Sequence, residues 1–122
     1  MAKKVLIVDD EPNIVVALEY LMRQSGFDVR TARNGDEALA AVADFRPDLV
    51  LLDVMMPVTN GYQVAQKIRD DPNLRAMKIV MLTAKGRETE VSKGIAIGAD
   101  AYVTKPFSTL ELVAQIKRLL EA

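Results

Sequence analysis

The chain has 122 residues, half of them hydrophobic, and its 16 basic and 17 acidic residues leave a net charge of −1. This length supports one hydrophobic core and is too short for two, so we expect a single domain over residues 1–122. The nearly balanced charge, without a basic block, makes us expect no direct nucleic-acid binding. The absence of cysteine and histidine excludes disulfides, thiolate or imidazole metal sites and catalysis by either side chain.

Short apolar runs alternate with helical patterns in the first half of the chain. Residues 4–8 predict a strand, and the acids that follow lead to Pro12, which favours a helix start near that position. Apolar residues then recur at helical spacing until Gly26, a typical helix stop. Residues 28–32 predict a weak strand, and a helix is expected from about Asp36 to Phe45.

The second half continues the alternation. Apolar residues 49–52 predict a strand that runs into Asp53, and a helix containing Tyr62 follows. The remaining predicted elements are a strand over 78–84, a fourth helix marked by Val91, Ile95 and Gly98, a strand over 101–105 and a closing helix containing Leu112 and Leu120. Five strands alternating with five helices predict an α/β fold, with a parallel sheet and helices on both of its faces.

Targeting and membrane signals are not visible in the sequence. The longest apolar runs are shorter than the about 18 residues that a membrane helix needs. Residues 1–4 lead into a strand instead of a signal-peptide core. We therefore expect no membrane association, and the chain is compatible with a cytoplasmic location.

Reactive side chains follow four of the five predicted strands. In an open parallel sheet, the functional crevice lies beyond the carboxyl ends of the strands. The residues at or just past those ends are Asp9, Asp10, Asp53, Thr83, Ala84 and Lys105. We therefore expect three carboxylates, a hydroxyl and an ammonium group to meet at one edge of the sheet.

Three carboxylates packed together repel one another unless a cation compensates their charge. A set of oxygen ligands without histidine or cysteine selects a hard ion, and a few carboxylates with water suit Mg²⁺. The sequence contains no calcium-loop motif of the D-x-[DN]-x-[DN]-G type. These features favour a magnesium site.

Each of these residues also has a simpler interpretation. Asp9 and Asp10 fit a helix N-cap, Thr83 fits a strand-end or capping hydroxyl, and Lys105 fits an ordinary surface lysine. Pro106 fits a helix-initiating proline after a trans bond. The combination at four strand ends favours a phosphoryl site over these separate explanations.

Four motifs occur in order along the chain: VDDEP, LLDVMMPVTNG, LTA and GADAYVTKPF. With them the chain resembles the receiver domains of two-component response regulators over essentially all of its 122 residues. The resemblance implies a flavodoxin-like, doubly wound (βα)5 fold with a five-stranded parallel sheet in the order 2-1-3-4-5.

The resemblance also implies a role for each matching acid. Asp53 would be the phospho-acceptor, attacking the phosphorus of a phosphohistidine on a partner. Asp10 and Asp53 would ligate Mg²⁺ directly, together with the backbone carbonyl of Met55. Asp9 would act through bound water, and Mn²⁺ is expected to substitute for Mg²⁺.

Other positions match the phosphoryl-binding and switch residues of the family. Lys105 would pair with the phosphoryl oxygens, and Thr83, with Ala84 beside it, would bind one of them. Tyr102 matches the aromatic switch position whose ring moves inward, and the Lys105–Pro106 bond is expected to be cis.

The implied function is a phosphorylation-dependent switch that catalyses only its own phosphoryl transfer and dephosphorylation. Its implied partners are a sensor histidine kinase or histidine phosphotransfer protein and a downstream effector protein or domain. The expected signalling surface comprises the fourth helix, the fifth strand and the fifth helix. The chain would be a monomer or a phosphorylation-dependent dimer, either as a stand-alone regulator or as part of a longer protein.

Three alternatives fit less well. A phosphatase of the haloacid-dehalogenase type would need a D-x-D nucleophile on the first strand, where this chain has adjacent acids. A flavodoxin-like electron carrier would need a loop rich in glycine and hydroxyl residues where this chain has DDEP. A receiver fold with vestigial phosphorylation would not need every reactive group, and all of them are present.

Overall fold

Five parallel strands form the single sheet of the computed structural model, which describes residues 2–54, 61–84, 98–105 and 107–121. The strands are β1 (Lys4–Val8), β2 (Asp28–Ala32), β3 (Leu49–Asp53), β4 (Lys78–Ala84) and β5 (Ala101–Lys105). They lie in the order β2-β1-β3-β4-β5, and all four neighbouring pairs are parallel. The predicted strand order and fold class are therefore confirmed.

Four α-helices are described: α1 (Pro12–Gln24), α2 (Gly35–Phe45), α3 (Gly61–Asp70) and α4 (Thr109–Glu121). A short 3₁₀ helix, Pro72–Leu74, was not predicted from the sequence. The helix α4 is the predicted closing helix, whereas most of the predicted fourth helix, including Val91 and Ile95, lies outside the described residues. None of the helices described is both long and apolar enough to cross a lipid bilayer.

The core consists of two apolar layers, one on each face of the sheet. Side chains of α2 and α3 pack on one face, and side chains of α1 and α4 pack on the other. The central strand β3 is buried along its whole length. Burial on both faces explains why the central strands are nearly continuous apolar runs.

The strand register brings the carboxyl ends of β1, β3 and β4 to one edge. Leu52 is the last residue of β3 that pairs with β1, where its partner is Val8. Asp53 extends one residue further and pairs with Leu82 of β4. The side chain at the end of β3 therefore lies beyond the end of β1, at the edge where the sequence places the acids.

An ion pair joins the end of α3 to the start of β5. Arg69 Nη2 donates to Asp100 Oδ2 at 2.7 Å, and the same carboxylate oxygen accepts the Ile79 backbone N–H at 2.8 Å. The guanidinium also donates to the carbonyl oxygens of Met77 at 2.7 Å and Gly98 at 2.9 Å. The two side chains are only 16% and 26% exposed. Arg69 therefore satisfies three acceptors from two separate segments of the chain, one at Met77 and one at Gly98 and Asp100.

We expect Arg69→Met to lower the free energy of unfolding by about 2 kcal/mol, because hydrogen bonds to charged groups contribute about 1.5–3 kcal/mol. Methionine keeps the apolar stem and removes the donors. Urea denaturation of both proteins measures the difference.

The matched control is Arg23→Met, which removes the pair of Arg23 with Glu19, whose side chains are 55% and 36% exposed, and one hydrogen bond to the Val29 carbonyl at 3.2 Å. An exposed pair contributes about 1 kcal/mol or less. Equal losses in the two variants would contradict a special role for Arg69.

Candidate functional site

Three carboxylates meet at the carboxyl edge of the sheet. Asp9 and Asp10 follow β1, and Asp53 ends β3. One oxygen atom from each of the three carboxylates lies within 4.8 Å of the others. Asp9 and Asp53 are buried, whereas Asp10 is exposed. The structure thus brings together the acids that the sequence places at these strand ends.

Both carboxylate oxygens of Asp9 accept hydrogen bonds from the protein. The backbone N–H of Glu11 donates to Oδ1 at 3.0 Å, and Lys105 Nζ donates to Oδ2 at 3.1 Å. The N-cap of α1 is Glu11, and no side chain in the described part of the chain makes a cap hydrogen bond there. The helix-cap interpretation of Asp9 and Asp10 is therefore wrong.

Lys105 bridges two of the acids. Its Nζ lies 3.1 Å from Asp9 Oδ2 and 3.3 Å from Asp53 Oδ1, and its side chain is only 23% exposed. Burial lowers the pKa of Lys105, but the charges of Asp53 and Asp9 and the hydrogen bonds to both raise it, so the net pKa lies above its ordinary value. The lysine is therefore a cation directed at the cluster, and the surface-lysine interpretation is wrong.

Thr83 offers a buried hydroxyl one residue beyond Leu82, the β4 partner of Asp53. Within the part of the chain that the structure describes, its Oγ1 is the one buried side-chain polar atom without a hydrogen-bond partner. An unsatisfied buried hydroxyl costs about 1–3 kcal/mol. This atom can gain a hydrogen bond if an acceptor enters the site.

Of the other predicted site residues, the structure describes Tyr102 and the backbone of Ala84 but not Met55 or Pro106. Tyr102 pairs with Met81, is half-buried, and packs against the apolar layer that contains α2 and α3. The backbone of Ala84 pairs with Lys105. Met55 and Pro106 lie outside the described residues, so the carbonyl ligand and the cis bond remain predictions.

The backbone N–H of Glu11 was not predicted as part of the site. A signal for it exists, because aspartate side chains commonly accept a hydrogen bond from the backbone two residues on. Asp9 and Glu11 have this spacing, and their hydrogen bond fixes the orientation of the Asp9 carboxylate.

The donor set fits a hard divalent cation. All three clustered side chains supply carboxylate oxygens, which Mg²⁺ prefers, and exposed Asp10 leaves the cluster open to water. The single ammonium group of Lys105 cannot balance three negative charges. The cluster therefore keeps a net negative charge that a divalent cation would neutralise.

Comparison with known proteins identifies the family of this fold and site. The model of the response regulator receiver domain family matches residues 5–117. The alkaline phosphatase synthesis transcriptional regulatory protein PhoP of Bacillus subtilis (strain 168) is 45% identical over 120 residues, which cover 98% of this chain and 49% of that protein. The chain spans about half the length of the curated relatives it matches.

Solved receiver-domain structures have the same fold over nearly the whole length of this chain. The chemotaxis response regulator CheY4 of Vibrio cholerae is 32% identical with a TM-score of 0.91, over 98% of this chain and 99% of that chain. The receiver domain of the sensor histidine kinase PA1611 of Pseudomonas aeruginosa PAO1, with magnesium coordinated in its active-site cleft, is 28% identical with a TM-score of 0.90 over 100% of both chains. This chain belongs to the response regulator receiver domain family.

Proposed function

We propose that residues 1–122 form one receiver domain that accepts a phosphoryl group on Asp53 from a phosphohistidine and thereby controls an effector. The observation that carries the proposal is the bridge from Lys105 to Asp9 and Asp53 within the three-carboxylate cluster. In this proposal Asp53 is the nucleophile, and Lys105, 3.3 Å from Asp53 Oδ1, is the fixed cation beside it. Membership of the receiver family supports the same function.

The transfer requires little covalent chemistry from the protein. An oxygen of the Asp53 carboxylate forms the new bond to phosphorus as the bond from phosphorus to the imidazole nitrogen breaks, and the departing imidazole takes a proton from solvent. No general base is needed, because the carboxylate is already ionised. Lys105 pairs with the phosphoryl oxygens where negative charge is spread, which is the main catalytic requirement of phosphoryl transfer.

Asp10 and Asp53 would hold Mg²⁺ directly, with the carbonyl of Met55 as a third protein ligand. Asp9 would act through water, since both of its oxygens already accept protein hydrogen bonds. When bound, the ion supplies Lewis acidity and charge neutralisation at the reacting phosphoryl group. The magnesium in the cleft of the PA1611 receiver domain supports this assignment, and Mn²⁺ is expected to replace it.

Thr83 and Tyr102 would convert the phosphate into a signal. The new phosphoryl oxygens offer an acceptor to the Thr83 hydroxyl, which has no hydrogen-bond partner among the described residues, and recruitment of that side chain changes the packing around it. Tyr102, half-buried on the neighbouring strand, would respond by moving inward. The surface comprising the predicted fourth helix, β5 and α4 would then change its affinity for a partner.

The proposed partners follow from the family. A sensor histidine kinase or histidine phosphotransfer protein would donate the phosphoryl group in the cytoplasm. The PhoP relative is a transcriptional regulator about twice as long as this chain, which supports an effector domain or a separate effector protein as the output. The domain would act as a monomer or as a phosphorylation-dependent dimer, and as a switch that catalyses only its own phosphorylation and dephosphorylation.

The test is to incubate the protein with acetyl phosphate and Mg²⁺ and to measure its intact mass. We expect one phosphoryl adduct that survives acid and is lost in base, as an acyl phosphate should be. Mn²⁺ should support the same adduct, and EDTA should prevent it. An adduct that forms equally well in EDTA would contradict the proposal.

A further inference from the structure

Gly61, the first residue of α3, lies directly against the backbone of Asp53. A Cβ atom at position 61 would lie 2.4 Å from the carbonyl oxygen of Asp53 and 3.0 Å from Cα of Val54. Real Cβ atoms essentially never approach other atoms closer than 3.0 Å. The first of these contacts is thus at least 0.6 Å too short for any residue other than glycine.

Backbone conformation does not explain this glycine. Among the described residues, the glycines with positive φ are Gly26 at 93° and Gly98 at 100°. Gly61 is instead the first residue of the helix α3, and helical backbone angles are open to residues with a side chain. The site therefore needs glycine at position 61 because of space, whereas the sequence indicates only a turn glycine.

A side chain at position 61 would press on the backbone at the end of β3. The last register pair between β3 and β1 joins Leu52 to Val8. On the β4 side, Asp53 pairs with Leu82, and the Val54 N–H donates to the Leu82 carbonyl at 3.0 Å. The helix α3 is anchored by three fully buried side chains, Val64, Ala65 and Ile68.

We propose that Gly61 is a positioning residue for Asp53: its missing side chain lets α3 lie against the strand end and sets where the Asp53 carboxylate sits. The backbone N–H of Gly61 also donates to the Val54 carbonyl at 3.1 Å, and this hydrogen bond links the start of α3 to the residue that follows β3. This inference rests on the proposed role of Asp53 as phospho-acceptor. A shift of the strand end would move the nucleophile away from Lys105 without removing any reactive group.

The test compares Gly61→Ala with Gly26→Ala at saturating Mg²⁺ over a series of acetyl phosphate concentrations. A Cβ atom at position 26 would have no neighbouring atom within 4 Å, so alanine there adds only the strain of its positive φ. We expect the maximal phosphorylation rate of Gly61→Ala to fall at least about 10-fold, since a misplacement of 1 Å costs about 10²-fold. The maximal rate of Gly26→Ala should equal that of wild type.

The outcomes separate this inference from the proposed function. If wild type gains no phosphoryl group, the proposed function fails. If wild type is phosphorylated and Gly61→Ala keeps its maximal rate, or if Gly26→Ala loses as much, the positioning role is overturned.

Circular dichroism establishes that each variant is folded under the assay conditions. If Gly61→Ala is partly unfolded, all three proteins are assayed in sucrose, which favours the compact state. A Gly61→Ala chain that remains unfolded in sucrose would also overturn the inference, because the contact would then serve the fold instead of the position of Asp53.

Discussion

Asp53→Asn is expected to abolish phosphoryl transfer to this chain while leaving its fold intact. Asparagine has nearly the same shape as aspartate but lacks the ionised oxygen that would attack phosphorus. The change also removes one of three mutually repelling carboxylates, while Lys105 keeps its contact with Asp9. Intact mass after incubation with acetyl phosphate and Mg²⁺ should therefore show no adduct, and the free energy of unfolding in EDTA should not fall.

Asp28→Asn provides the control for this experiment. Asp28 is an exposed aspartate at the start of β2, at the opposite edge of the sheet. This variant should gain one phosphoryl group at the wild-type rate. An adduct on Asp53→Asn at the wild-type level would show that another side chain is the acceptor.

The fold was largely predictable because each strand carries its own signal. The strands β1 and β3 are buried on both faces, so their sequences are continuous apolar runs. The edge strand β2 has a weaker signal, since exposed Asp28 and Arg30 alternate with buried Val29. The 3₁₀ helix was missed because its three residues are too few to show a period.

The residues of the site could be predicted from the sequence, but the distances and hydrogen bonds between them could not. The rule that parallel strands present their carboxyl ends at one edge places Asp53 and Lys105 together, although 52 residues separate them in sequence. No sequence pattern gives the two Lys105 contacts, or shows that Thr83 Oγ1 lacks a hydrogen-bond partner within the described ranges. Those features depend on strand register and on how each side chain is packed.

Contacts between residues far apart in the sequence are harder still to predict. Arg69 and Asp100 are 31 residues apart, and each resembles an ordinary surface charge in the sequence. Gly61 is recognisable in the sequence as a turn glycine. The proximity of its backbone to Asp53 arises only when α3 packs against the sheet at the end of β3. The family match, in turn, places the chain in the receiver family, and the sequence disfavours the phosphatase and electron-carrier alternatives.

Lys105→Met is expected to change two properties of the site in opposite directions. Loss of the ammonium removes the cation that would stabilise charge on the phosphoryl oxygens, so phosphorylation should slow by about 10²–10³-fold, as for loss of one preorganised donor. The same loss leaves Asp9 and Asp53 without their compensating charge. The dissociation constant for Mg²⁺ should therefore fall about 10-fold, which corresponds to about 1.4 kcal/mol.

Calorimetric titration with Mg²⁺ and the initial rate with acetyl phosphate measure these two effects on the same samples. Lys117→Met, at an exposed position of α4, should change neither quantity. If Mg²⁺ affinity and rate fell together in Lys105→Met, the lysine would be holding the carboxylates in place, and its effect on the rate would be indirect. Tighter metal binding with slower transfer is the result expected if Lys105 competes with the cation for the carboxylates before transfer and stabilises the phosphoryl group during it.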